Sequence, residues 1–120
     1  MRVLLVEDST ELVALLKKGL AQGGFSTDAV RTAADAAHAL ATMRYAAMVL
    51  DRGLPDKDGL ELCREIRLFD QQTPILFYTA FAELLDEKEA LQAGAQGWLR
   101  KPEDTARLGE VIHGLIEKGN

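Results

Sequence analysis

Three short segments of the chain, Val3-Val6, Ala46-Leu50 and Pro74-Tyr78, are apolar almost throughout. A strand with one wet face alternates apolar and polar positions, so these unbroken runs predict central strands covered on both sides. Phe25-Val30 mixes Ser26, Thr27 and Asp28 with apolar residues, and Gly97-Leu99 is very short. Both read as edge strands, where only one side is paired.

Between these runs the spacing changes. Leu12, Leu15, Leu16 and Leu20 fall at i, i+3, i+4 and i+8, and Leu108, Val111, Ile112, Leu115 and Ile116 trace a similar stripe. That is the period of an amphipathic helix. Ala33-Met43 with Leu40, Leu60-Phe69 with Cys63 and Ile66, and Glu83-Ala93 with Leu84 and Leu91 complete a set of five predicted helices. Punctuation agrees: Ser9 or Thr10 can cap the first helix, Gly23-Gly24 and Gly94 stand where helices should stop, and Pro55 and Gly59 break the third connection. The order is a fivefold strand-helix alternation. Crossovers of this length between parallel strands are right-handed, which gives an open sheet with helices on both faces.

Composition changes this picture little. The 120 residues suit a single domain spanning 1–120, with 48% hydrophobic and 28% charged residues. A net charge of −5 and a pI near 5.0 exclude the basic stripe that phosphate-backbone binding requires, so no direct nucleic-acid contact is expected of this domain. One cysteine, Cys63, cannot form an internal disulfide, which points to the cytoplasm. No apolar run reaches the length of a membrane span, and no membrane association is expected. Met1 and the well-formed last helix favour a stand-alone protein.

The candidate chemistry lies at the strand ends. All strands of an open parallel sheet end on one edge, and ligands bind there where the strand order reverses. The first strand leads to Glu7 and Asp8, the third to Asp51, the fourth to Thr79 and the fifth to Lys101-Pro102. In the flavodoxin-like order 2-1-3-4-5 the first and third strands are neighbours, so three carboxylates share a crevice. Such a cluster needs a counter-charge, and a hard divalent cation with oxygen ligands is the usual one. Mg2+ is the expected ion, with Mn2+ or Ca2+ able to replace it.

The segments V-L-L-V-E-D, V-L-D-R-G-L-P-D-K-D-G, P-I-L-F-Y-T-A and G-W-L-R-K-P, in this order and each at a predicted strand end, resemble the receiver domain of two-component response regulators over essentially the whole chain. The resemblance implies that Asp51 accepts a phosphoryl group from a sensor histidine kinase or a histidine phosphotransfer protein. It implies Mg2+ held by Asp8, Asp51 and the backbone carbonyl of Gly53, with Glu7 acting directly or through water. Lys101 and Thr79 would contact phosphoryl oxygens, and the peptide bond before Pro102 would be cis. Thr79 and Trp98 would then move together as a switch, reshaping a surface of the fourth helix, fifth strand and fifth helix for a downstream protein. A protein of this kind is a signalling phospho-acceptor, monomeric or weakly dimeric, that catalyses only its own phosphotransfer and slow dephosphorylation. Gly53 and Phe81, each two positions after a key residue, are expected to tune access of water to the acyl phosphate, bulky Phe81 slowing its loss.

Two positions depart from the commonest pattern: Gly97 precedes the aromatic residue where acidic residues are frequent, and Glu103 follows Lys101-Pro102 where Phe is frequent. Rival readings remain open. The chain is also readable as a module cut from a multidomain regulator or hybrid kinase, or as a degenerate receiver that only binds protein. An acid-phosphatase-like hydrolase would need a second Asp where Gly53 stands, and an FMN binder would need a phosphate loop after the first strand. His38 and His113 fall on predicted helices without an evident partner, and Cys63 is expected to pack in the third helix.

Overall fold

The unbroken apolar runs do form a sheet buried from both sides. The computed structural model describes residues 1–80 and 84–118. Its strands are β1 (Arg2–Val6), β2 (Ser26–Val30), β3 (Ala47–Leu50), β4 (Ile75–Thr79) and β5 (Gly97–Arg100). They form one parallel sheet in the order β2-β1-β3-β4-β5, so the two polar or short strands are indeed its edges. The helices are α1 (Thr10–Gln22), α2 (Ala33–Thr42), α3 (Gly59–Arg67), α4 (Leu84–Ala93) and α5 (Leu108–Lys118), with a single 3-10 turn at Thr105–Arg107 before the last.

Successive strand residues point to opposite faces, and each face has its own core. Leu4, Val6, Met48, Leu50, Ile75 and Phe77 pack with Leu62, Cys63 and Ile66 of α3 and with Ala90 and Ala93 of α4. Val3, Leu5, Val49, Leu76, Tyr78 and Leu99 pack with Leu16 and Leu20 of α1 and Leu108 and Ile112 of α5. This two-sided burial is why β1, β3 and β4 show no polar alternation. Cys63 is fully buried, as its position in α3 leads one to expect.

Two leucines assigned to buried stripes are instead exposed. Leu15 is 59% accessible because α1 meets the sheet side through Leu12, Leu16 and Leu20, and Leu15 lies about 100° around the helix from Leu16. Leu91 is 52% accessible because α4 seats its small residues Ala90 and Ala93 on the core. His113 also differs from expectation. Its Nε2 lies 2.9 Å from the carbonyl oxygen of Gly23, and its ring stacks, tilted, 4.4 Å from that of Phe25. It ties α5 to the end of α1. His38 is exposed on α2.

Ser9 caps α1 by accepting from the Leu12 N–H, and Thr32 caps α2 by accepting from the Asp35 N–H. Gly24 and Gly94, with φ of +89° and +110°, take the left-handed conformation that ends α1 and α4.

Candidate functional site

The carboxyl ends of β1 and β3 lie side by side, with Val6 opposite Leu50. The residues that follow them therefore meet. The Asp51 N–H still donates to the Val6 carbonyl at 3.2 Å, and the Glu7 N–H donates to the Val30 carbonyl at 2.9 Å, so both acids are fixed by the ladder. Glu7 is 2% and Asp51 8% accessible, while Asp8 faces more open solvent. Oxygen atoms of Glu7, Asp8 and Asp51 all lie within 4.8 Å of one another. A set of three close carboxylates is the donor chemistry of a hard divalent cation, so these residues fit such an ion.

Lys101 enters from the other side of the cleft. β5 pairs with β4 up to Thr79 opposite Arg100, and the Lys101 N–H donates to the Thr79 carbonyl at 2.9 Å. The Lys101–Pro102 peptide bond is cis, as expected from the motif. The ammonium donates to Asp51 Oδ2 at 3.0 Å and to Glu7 Oε1. Burial alone would lower the lysine pKa, but the hydrogen bonds to Glu7 and Asp51 outweigh it and the net shift is upward. Burial pushes the Glu7 carboxyl up, against the opposing pull of Lys101 and of the Ser9 N–H, which donates to Glu7 Oε2 at 3.1 Å. The ion pair is thus largely desolvated on both sides.

Thr79, at the end of β4, is 1% accessible. Trp98 is partly buried, packs against the core beneath α2, α3 and α4, and carries the Arg100 guanidinium 5.8 Å from its ring centroid. Gly53 lies in the loop after β3, with its N–H donating to Asp51 Oδ1 at 3.3 Å. Glu7, Asp8, Asp51 and Lys101 are brought together, with Gly53 beside Asp51. Phe81 lies outside the described residues.

The loop from Asp51 to Gly59 is held by residues that sequence reading gave no role. Asp56 reaches across to α2, accepting from the Ala33 N–H at 2.9 Å and the Ala34 N–H at 3.0 Å. These two backbone donors hold its carboxyl below the usual aspartate range. Asp58 caps α3 by accepting from the Leu60 N–H at 2.9 Å, and its other oxygen accepts from Arg52 Nε at 3.3 Å. Arg52 also lies 3.7 Å from Glu89 of α4. Asp58 followed three residues later by Glu61 is a cap signature that could have been read. Asp56 had no such signal, because its partners lie 22 and 23 residues upstream.

The chain is similar to known proteins over nearly its whole length. The family model described as the response regulator receiver domain matches residues 3–113. The chain is 37% identical over 118 residues to the transcriptional regulatory protein TctD of Salmonella typhimurium, covering 98% of this chain and 53% of that protein. It is 37% identical over 120 residues to the transcriptional regulatory protein BasR of Escherichia coli, covering 100% of this chain and 54% of that protein. The chain spans about half the length of these curated relatives. A two-component response regulator from Clostridium difficile superposes with a TM-score of 0.93 at 25% identity, covering 100% of this chain and 98% of that one. The relatives' names give no support to the expectation of a protein that keeps clear of nucleic acid. Among the described residues no helix is long and apolar enough to cross a membrane.

Proposed function

The chain belongs to the response-regulator receiver family of two-component signalling, and on that premise we propose that Asp51 is its phosphoryl acceptor. The observation that carries this reading is the contact of Lys101 Nζ with Asp51 Oδ2 at 3.0 Å, beside a cluster of Glu7, Asp8 and Asp51 suited to a divalent cation.

In the proposed reaction a carboxylate oxygen of Asp51 attacks the phosphorus of a phosphohistidine on a sensor kinase or phosphotransfer protein. The new O–P bond forms as the N–P bond breaks, and the departing imidazole takes a proton from solvent. Charge accumulates on the phosphoryl oxygens, so positioning and neutralisation do most of the catalysis. Lys101 supplies a fixed ammonium beside the attacking carboxylate. The Thr79 hydroxyl donates to a phosphoryl oxygen once the group is in place. Glu7, Asp8, Asp51 and the Gly53 carbonyl would hold Mg2+, or Mn2+ or Ca2+ in its place, which when bound neutralises the acidic cluster and the incoming phosphoryl oxygens.

The added charge of about −1.5 to −2 gives Thr79 and Trp98 a reason to rearrange, altering the α4-β5-α5 surface for a downstream protein. The chain so read is one receiver domain over 1–120, a cytoplasmic signalling phospho-acceptor, monomeric or weakly dimeric. The acidic domain itself makes no nucleic-acid contact in this reading. That the relatives are about twice as long favours a second arrangement, in which this receiver is one module of a larger regulator.

Incubation with a small phosphodonor, with and without Mg2+, tests the central assignment. Wild type should label only with the metal, and Asp51→Asn should not label. Equal labelling of Asp51→Asn removes Asp51 as the acceptor.

A further inference from the structure

Lys101 has a third neighbour besides its two carboxylates. Its ammonium lies 5.5 Å from the ring centroid of Tyr78, within the range of a cation-π contact. Tyr78 is 1% accessible and stands on β4 immediately before Thr79, on the face packed by α1 and α5. Its hydroxyl is hydrogen-bonded to Thr105 Oγ1, and the Thr105 hydroxyl in turn lies 2.8 Å from the Pro102 carbonyl oxygen, to which it donates. One side chain therefore touches the cation and, through Thr105, the turn that carries it.

The carboxylates cannot hold Lys101 steady through the whole reaction. In the resting protein Glu7 and Asp51 fix the ammonium. A divalent cation in the acidic cluster would compete with the ammonium for the negative charge of Glu7 and Asp51. When Asp51 is phosphorylated, its carboxylate becomes an acyl phosphate, and the ammonium has to turn from a carboxylate oxygen to phosphoryl oxygens. A lysine side chain that changes partners has many rotamers open to it, and each exchange leaves its position less fixed. The Tyr78 ring carries no charge to be neutralised, and its buried position is set by the core, so its attraction for the ammonium persists across these states.

We infer that Tyr78 is a positioning residue for phosphoryl capture: its ring seats the Lys101 ammonium, and its hydroxyl, through Thr105, fixes the Lys101–Pro102 turn. This rests on the reading of Asp51 as acceptor and Lys101 as the cation that serves it. Tyr78 itself touches no reacting atom, so its effect should exist only while Lys101 is present.

A double-mutant cycle isolates that dependence. The rate of phosphorylation by a small phosphodonor at saturating Mg2+ is compared for wild type, Tyr78→Leu, Lys101→Met and the double variant. Tyr78→Leu should lower the maximal rate about five- to tenfold with little change in donor half-saturation, the loss expected for a partly buried cation-π contact. Tyr78→Phe should recover to within about twofold of wild type, since it keeps the ring. In the Lys101→Met background Tyr78→Leu should have no further effect. If Tyr78→Leu proves unfolded by circular dichroism, Thr105→Val at the half-buried start of the 3-10 turn replaces it, with an expected slowing of about twofold that also vanishes without Lys101. Equal losses in both backgrounds, or no loss in the wild-type background, overturn the inference. Failure of the underlying reading shows separately, as labelling of Asp51→Asn.

Discussion

Gly59 is pressed so closely onto Asp51 that a Cβ built on it would stand 2.2 Å from the Asp51 carbonyl oxygen and 2.9 Å from Arg52 Cα. The first turn of α3 thus abuts the backbone that presents the candidate acceptor, and the Gly59 N–H donates to the Arg52 carbonyl at 2.9 Å. Only a residue without a side chain permits that approach.

Gly59→Ala should therefore act on site and stability together. Backbone has to move to admit the methyl group, at a cost of about 1–3 kcal/mol, read as a lower urea midpoint. Phosphoryl labelling should slow as well. A variant with wild-type midpoint and rate would show that the close approach does not constrain the loop.

Arg67 joins three segments at the far end of α3. Its guanidinium donates to the Gly94 carbonyl, the Asp70 carbonyl and Gln96 Oε1, each at 2.9 Å. Gln96 Oε1 also accepts from the Ile75 N–H at 2.8 Å. Arg67→Ala should cost about 1–3 kcal/mol in denaturant unfolding, since partly buried carbonyls lose a charged donor. Arg67→Lys should recover little of it, because an ammonium cannot reproduce the planar fork. Full recovery by lysine would mean that charge alone matters there.

Asp56 predicts an acid limb to the stability curve. Its folded pKa lies below the ordinary value because the Ala33 and Ala34 N–H groups stabilise the charged form. A depressed carboxyl contributes stability above its unfolded pKa and loses it as pH falls through the folded one. The urea midpoint of wild type should accordingly fall more steeply than that of Asp56→Asn as the pH drops below the ordinary aspartate range. Identical acid profiles would deny Asp56 its role as a cap of α2.

Cys63 should be chemically quiet. Burial pushes its thiol up to about 11, above the ordinary 9.0, and the side chain has no accessible surface. A thiol-disulfide reagent at pH 8 should react with the native protein only slowly and much faster in urea. Because the folded state holds the thiol proton more tightly, Cys63 contributes stability below the unfolded pKa and loses it as pH rises through about 11. Rapid stoichiometric reaction in native buffer would contradict this placement.

The elements were legible because each is written in a local period. Runs such as Val3-Val6 and Pro74-Tyr78 read as two-sided strands because they are short and lack alternation, and the glycines at 24 and 94 stopped helices where positive φ was needed. The helix faces were less certain. Adjacent Leu15 and Leu16 are equally apolar, and only docking against the sheet decides that Leu16 is buried and Leu15 exposed. The same limit applies to α4, where close packing selected Ala90 and Ala93 over Leu91.

For the site, the sequence by itself determined which polar residues stand at the strand ends, because the order of strands and helices places Glu7, Asp8, Asp51, Thr79 and Lys101 on one edge of a parallel sheet. What only the tertiary structure decided is how they are held. Lys101 meets Glu7 across 94 residues and Asp51 across 50. Asp56 caps a helix 23 residues earlier, His113 finds Gly23 across 90, and Tyr78 reaches Thr105 across 27. Local periodicity records the face a residue occupies within its own element. It carries no information about which distant backbone group or charge will stand opposite, since that is fixed only when the elements pack.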